Sequence, residues 1–194
     1  MQIVLAMLVG ATTLAKTAPP PRVAPERVRE AIEFGRSAGE ARLAQYEIKT
    51  AETWLVNCDT AFLRIAQLAA SMQRSEKTLI ESEVPDAFAA NEVHVYVHAR
   101  FQAAARNLPN IDYVMLARPT GGGRLETVLP RSLDRFVRQV PPDPSYFGPA
   151  RIAKSVRAAF PPQALVAGGH VRIVFEGGAI ETVPLDEALV ARIK

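Results

Sequence analysis

The chain has 194 residues, of which 48% are apolar and 22% are charged, a composition typical of a globular protein long enough to bury a core. Its 23 basic and 20 acidic residues give a formal net charge of +3, which is too balanced for the electrostatic surface of a nucleic-acid-binding protein. We therefore expect one globular domain over residues 26–194 and no nucleic-acid partner.

The first fifteen residues predict a signal peptide. They carry no charge, and an apolar run from Ile3 to Val9 is followed by small residues that end at Ala15. The run is much shorter than the ~20 residues that span a bilayer. We expect cleavage after Ala15, a periplasmic or extracellular location, and no membrane span in the mature chain. No Lys or Arg precedes the run, so a buried N-terminal strand is the alternative.

Residues 16–25 are rich in proline and predict an extended linker. Pro25 suits the first position of a helix, and Gly39 can end that helix. Its apolar side is narrow, which indicates a short surface helix over one edge of the core. The residues on that side are Val28, Ala31, Ile32 and Gly35.

The stretch from Trp54 to Met72 predicts a strand that passes directly into a helix. The strand's buried face is Trp54, Val56 and Cys58, which alternate. The helix's apolar face is Phe62, Ile65, Leu68, Ala69 and Met72, which recur at three- and four-residue steps. Asp59 or Thr60 can cap the helix N-terminus. A further strand is expected within residues 43–49.

Cys58, the only cysteine, cannot form an internal disulfide, and its position on the apolar face indicates a small buried hydrophobe. Arg64 lies on the polar side of the helix with Gln67, Ser71 and Arg74. We expect its guanidinium to pair with Asp59 across the first turn, the alternative being extension into water.

The remainder of the chain predicts mainly strands joined by tight turns. A connection over residues 75–91 contains one helical turn at 86–90, and Pro-rich residues 141–150 form a loop. Strands are expected at 92–100, 111–118, 124–129, 156–160, 170–175 and 179–183. Short helices are expected at 131–140 and 185–193. On the first of these strands, His94, Tyr96 and His98 form the side that should face solvent.

These elements predict an α+β fold with a mainly antiparallel β-sheet or sandwich-like core of six to eight strands. One central amphipathic helix and one short N-terminal helix pack against it. Short hairpin turns argue against a parallel sheet, because each parallel pairing needs a crossover of a dozen or more residues.

Neither a catalytic nor a metal-binding motif is evident, and we expect no cofactor. His94 and His98 lie about 13 Å apart along one strand at ~3.3 Å per residue, too far to bind one ion, although His94 and His170 could meet across strands. Residues 121–123 are three glycines that favour a hairpin over a phosphate-binding loop, since a strand follows them. Glu126, Glu176 and Glu181 are expected to face solvent on strands.

A resemblance covers most of the mature chain. Residues 59–66 (DTAFLRIA), 92–97 (EVHVYV), 158–161 (AAFP) and 170–175 (HVRIVF), after a signal peptide and a short helix, resemble a group of uncharacterised exported bacterial proteins. Members commonly have Pro where this chain has Ala61. The resemblance implies export and a shared domain fold, and no activity comes with it.

We expect a non-catalytic exported module that binds a protein, a glycan or another envelope component. Tyr146 and Phe147, in the Pro-rich loop, are the candidate partner contacts, because binding residues concentrate on loops and aromatic residues dominate binding energy. The alternative for Phe147 is that it folds back into the core. Two other functions stay open: an envelope hydrolase with an acidic site, and a structural subunit of a secreted assembly.

Overall fold

The computed structural model describes residues 18–43, 47–49, 54–99, 109–140 and 151–193. The predicted signal peptide and the loop that contains Tyr146 and Phe147 lie outside the described residues. Within the described residues, no helix combines the length and the apolarity needed to span a membrane.

The described residues form four α-helices and nine strands. The helices are α1 (Pro25–Leu43), α2 (Ala61–Arg74), α3 (Asp86–Ala89) and α4 (Glu187–Ile193). The strands are β1 (Glu47–Lys49), β2 (Trp54–Asp59), β3 (Val93–Ala99), β4 (Ile111–Pro119), β5 (Leu125–Val128), β6 (Ser132–Val140), β7 (Arg151–Phe160), β8 (Gly169–Phe175) and β9 (Ile180–Leu185).

The strands form two open antiparallel sheets, which confirms the predicted α+β class. One sheet has the order β1-β2-β3-β7-β6, and the other has the order β5-β4-β8-β9. The hairpin turn between β8 and β9 contains Gly177 and Gly178, both at positive φ, a conformation that glycine adopts without steric cost.

Alternating apolar residues from both sheets form one hydrophobic core. Trp54 of β2 meets Phe175 of β8 with ring centroids 5.3 Å apart, so the inner faces of the two sheets pack together as in a sandwich. Cys58 belongs to this core and is fully buried, and burial raises the pKa of its thiol far above the usual range. The predicted interpretation of Cys58 as a small hydrophobe fits this position.

A second apolar cluster joins the two long helices. The predicted apolar faces of α1 and α2 meet in it, together with Leu79, Val84 and Ala89. Thr60 caps α2 by accepting a hydrogen bond from the amide of Leu63. Gly35 lies at a close approach of the two helices, since a Cβ at this position would be 2.1 Å from the carbonyl oxygen of Ala66.

Two local predictions are wrong. Residues 132–140 form β6 instead of a helix, because the strand pairs with β7 over nine register positions. α1 continues four residues beyond Gly39. Residues 18–24 of the predicted linker form no helix, and they contact the domain: the amide of Val23 donates to the carbonyl of Ala89, and the amide of Asn91 donates to the carbonyl of Pro21.

Candidate functional site

Arg64 is buried beneath the start of β3, contrary to the prediction that it lies on the polar face of α2. Its side chain donates to three backbone carbonyls: Nη1 to Asp59 (2.9 Å) and Glu92 (3.1 Å), and Nη2 to Ala90 (2.7 Å). The bond to residue 59 therefore goes to the backbone oxygen instead of the expected carboxylate. The guanidinium thus holds the first turn of α2 against the entry to β3, and its burial lowers the pKa of Arg64.

His94 and Tyr96 continue this buried polar region along β3. His94 Nε2 lies 2.8 Å from Glu92 Oε1, and its Nδ1 lies 3.5 Å from the hydroxyl of Tyr96. Burial, followed by the charge of Arg64, lowers the pKa of His94. Both ring nitrogens face protein groups, so the ring is held in one orientation.

A row of polar side chains then crosses the five-stranded sheet. Tyr96 on β3 lies opposite Arg157 on β7, and Arg157 lies opposite Asp134 on β6. Arg157 donates to Asp134 Oδ2 from Nε (3.1 Å) and Nη2 (2.6 Å). The prediction that His94 and His98 face solvent is wrong, because they are only 6% and 8% exposed.

The histidines do not converge. His94 is on the five-stranded sheet, whereas His170 is on β8 of the other sheet, opposite Ala117 and Pro184. Within the described ranges, no three His, Cys, Asp or Glu side chains come together as a metal site would require. Of the three strand glutamates, Glu126 and Glu176 are exposed as expected and Glu181 is half-buried, which raises the pKa of its carboxyl.

One groove, here called the helix groove, lies between the starts of α1, α2 and β3 and has a volume of about 570 Å³. Its polar lining includes Arg22, Arg27, Thr60, Asn91, Glu92 and Gln163. Both arginines are paired, Arg22 with Asp86 and Arg27 with Glu30, and Arg27 also stacks over the Phe62 ring at 4.3 Å. Glu92 connects this groove to His94.

A second groove, here called the edge groove, lies between β6 and the beginning of β4, and its volume is about 610 Å³. It is lined by Asn110, Asp112, Arg135, Phe136, Val137, Lys154, Ser155 and Glu176. Both volumes fall in the range of protein ligand sites. Phe136 and Val137 are 41% and 71% exposed, so this groove places apolar side chains on the surface.

Among the described residues, the cations of the edge groove donate to backbone and amide oxygens. Arg135 donates to the backbone carbonyls of Ile111 and Asp112, and Lys154 donates to Asn110 Oδ1 at 2.6 Å. Asn110 in turn donates to Glu176 at 2.6 Å. The sequence did not indicate this groove, since a helix was predicted in place of β6.

Exposed apolar residues also lie on the outer face of the four-stranded sheet. Tyr113 and Ile180 are 53% and 59% exposed, and each lies opposite Val174 in the strand register. Tyr113 lies on the strand that was expected at 111–118. An irregularity in the pairing of Ile111 and Tyr113 with β8 accompanies its outward position.

Comparison with known proteins finds a structural resemblance to a protein whose own function is unknown. No family model matches the chain, and no curated protein matches it. A solved structure that it resembles is a novel protein of unknown function from Burkholderia pseudomallei, with 11% identity over 89% of this chain and 94% of that chain, at a TM-score of 0.44.

Proposed function

We propose that this protein is a non-catalytic binding module of the bacterial cell envelope and that it holds a polypeptide partner in the edge groove. The observation that carries the proposal is the pair Phe136 and Val137, which are exposed on a strand at the edge of a sheet beside the cations Arg135 and Lys154. Apolar and aromatic side chains beside hydrogen-bonding groups are the usual composition of a protein interface.

The contrast with the buried polar row supports this choice. Arg64, His94 and Arg157 are held by protein groups at hydrogen-bonding distance, which is what a structural network requires. The side chains of the edge groove include apolar groups in water, which a partner would cover favourably. The binding role therefore belongs to the edge groove, and the buried row maintains the fold.

Capture from cell-envelope extract tests this function with a matched pair of variants. The double variant Phe136→Ala/Val137→Ala removes an aromatic and an aliphatic side chain from the edge groove. Its control, Tyr113→Ala/Ile180→Ala, removes a similar pair from the other sheet. We expect the wild type and the control to retain the same protein partner and the edge-groove variant to lose it; equal retention by both variants would contradict the proposal.

The export part of the proposal comes from the sequence of residues 1–15. N-terminal sequencing of the protein recovered from the periplasm or the medium should begin at Lys16. Recovery of the intact Met1 terminus from the cytoplasm would contradict export. Tyr146 and Phe147 stay candidate contacts, and because they follow β6 in the chain, their double alanine variant belongs in the same capture experiment.

A second candidate, an envelope hydrolase, has one observation in its favour. Glu92 lines the helix groove and lies 2.8 Å from His94, a pairing of acid and histidine that general acid-base catalysis uses. Glu92→Gln should abolish any hydrolysis of envelope peptides or glycans by the purified chain. Hydrolysis that survives this substitution would exclude the Glu92–His94 pair as its source.

A further inference from the structure

The edge groove runs beside a strand whose outer edge is unpaired in the described part of the chain. β6 is the last strand of its sheet, and β7 occupies its other edge over nine register positions. An antiparallel strand uses about half of its backbone groups for each neighbour. About four amides and four carbonyls of β6 therefore point away from the sheet.

Natural proteins usually protect a strand edge against pairing with other chains, for example by keeping the strand short or by placing a proline in it, and β6 has neither feature. The strand is nine residues long and contains no proline, and Val137 is largely exposed. A long edge that no described strand pairs with, and that carries exposed apolar side chains, is the kind of surface to which extended peptides add as a further strand. Backbone hydrogen bonds then supply affinity, and alternate side chains supply selectivity.

The charge of the β6–β7 pair indicates what kind of segment would bind. Residues 132–140 and 151–160, with Arg131 before them, contain six basic residues and one acidic residue, a net charge of +5 in a chain whose total is +3. The basic residues are Arg131, Arg135, Arg138, Arg151, Lys154 and Arg157, and the acidic residue is Asp134. Asp112 and Glu176 balance Arg135 and Lys154 within the groove itself, so the excess positive charge belongs to the β6–β7 strand pair as a whole. This excess opposes pairing with a second copy and favours an acidic segment.

From these observations we infer that the partner inserts an extended acidic segment that adds to β6 as a sixth strand of the sheet. This inference rests on the proposed polypeptide-binding function and specifies its mode. Successive side chains of a strand point to opposite faces, so one set of alternate residues of the added strand would contact Arg135, Val137 and Lys154, and the other set would contact Phe136.

The probe that tests this mode is a display library of random nonapeptides, selected on the full chain and counter-selected on Phe136→Ala/Val137→Ala. We expect the enriched peptides to carry net negative charge. Each is then synthesised in two forms, N-methylated at odd or at even positions. Because only every second amide of an added strand faces β6, one form should bind at least about tenfold more weakly and the other should bind nearly as the parent does.

The possible results test the strand-addition mode separately from the proposed polypeptide-binding function. Enriched peptides that weaken equally in both N-methylated forms would overturn strand addition and leave polypeptide binding in place. Enriched peptides with net positive charge would overturn the acidic class. A library without any peptide that prefers the wild type over the edge-groove variant would overturn the proposed function itself.

Discussion

The five-stranded sheet has a buried side, around β3, and an exposed side, at its edge strand β6. These two regions differ in which side chains they bury. Around β3 the sheet buries charged and aromatic polar groups, and Arg64, which is 4% exposed, satisfies three backbone carbonyls. At β6 it exposes apolar groups, and Val137 is 71% exposed. Buried, hydrogen-bonded polar groups stabilise one fold, whereas exposed apolar groups on an unpaired edge gain free energy when a partner covers them. The first side therefore accounts for stability, and the second is suited to binding.

The largest effect should come from removing Arg64. Arg64→Met keeps much of the apolar stem but leaves the carbonyls of Asp59, Ala90 and Glu92 without this donor, which should cost about 3 kcal/mol or more of unfolding free energy. Urea unfolding measures the change. Gln67→Met, a substitution to the same residue at an exposed position of α2, should change stability by less than about 0.5 kcal/mol. Equal effects from both would show that Arg64 does not hold the buried side together.

A smaller loss should follow from adding one methyl group between the helices. Gly35→Ala places a Cβ against the backbone oxygen of Ala66, which cannot rotate away as a side chain can. The overpacking cost of about 1–3 kcal/mol should exceed the ~1 kcal/mol that alanine gains over glycine in a helix. Gly121→Ala is the control, since no atom lies within 4 Å of its added Cβ. Thermal unfolding that ranks Gly121→Ala as the more harmful change would contradict the close helix crossing.

Lowering the pH should reduce the unfolding free energy of the protein through protonation of His94. Its pKa is lowered in the folded state by burial and by Arg64, so the unfolded chain binds the proton more tightly. Stability should therefore be greatest above the unfolded histidine pKa of about 6.5 and should fall as the pH drops through and below it. His94→Gln should flatten this fall between pH 7 and pH 5, whatever constant offset it causes at pH 8. An unchanged slope in chemical denaturation would show that His94 is not the titrating group.

The smallest stability effect should come from the exposed end of the same polar row. Asp134 and Arg157 are paired, but their side chains are 50% and 42% exposed, and such pairs contribute only about 0.2–1 kcal/mol. Asp134→Asn should lower the unfolding free energy by about 0.5 kcal/mol, and added salt should reduce the difference. A loss of stability as large as that of Arg64→Met would contradict the conclusion that the buried region around β3 contributes more to stability than the exposed region at β6.

Local signals in the sequence were enough to predict most elements of the fold. The apolar stripe of α2, its Thr60 cap and the glycine turns depend on residues close in the chain, and the structure confirms each. β6 was mistaken for a helix because Leu133, Phe136, Val137 and Val140 fit helical spacing, and only pairing with β7, a distant segment, determines the strand.

The candidate site was predicted less well for the same reason. The burial of Arg64 depends on the carbonyls of Ala90 and Glu92, which lie 26 and 28 residues away in the chain. The edge groove combines β6 with residues 110–112, 154–156 and 176, and no sequence spacing links those segments. Tyr146 and Phe147, chosen from their loop composition, remain a prediction.

Hydrogen exchange tests the central claim most directly, because strand addition changes the protection of specific backbone amides. We would compare the full chain with and without a selected acidic nonapeptide. The account predicts slower exchange within residues 132–140 and unchanged exchange within residues 180–185, an edge strand of the other sheet. Protection around the helix groove or along residues 180–185, with β6 unchanged, would contradict it.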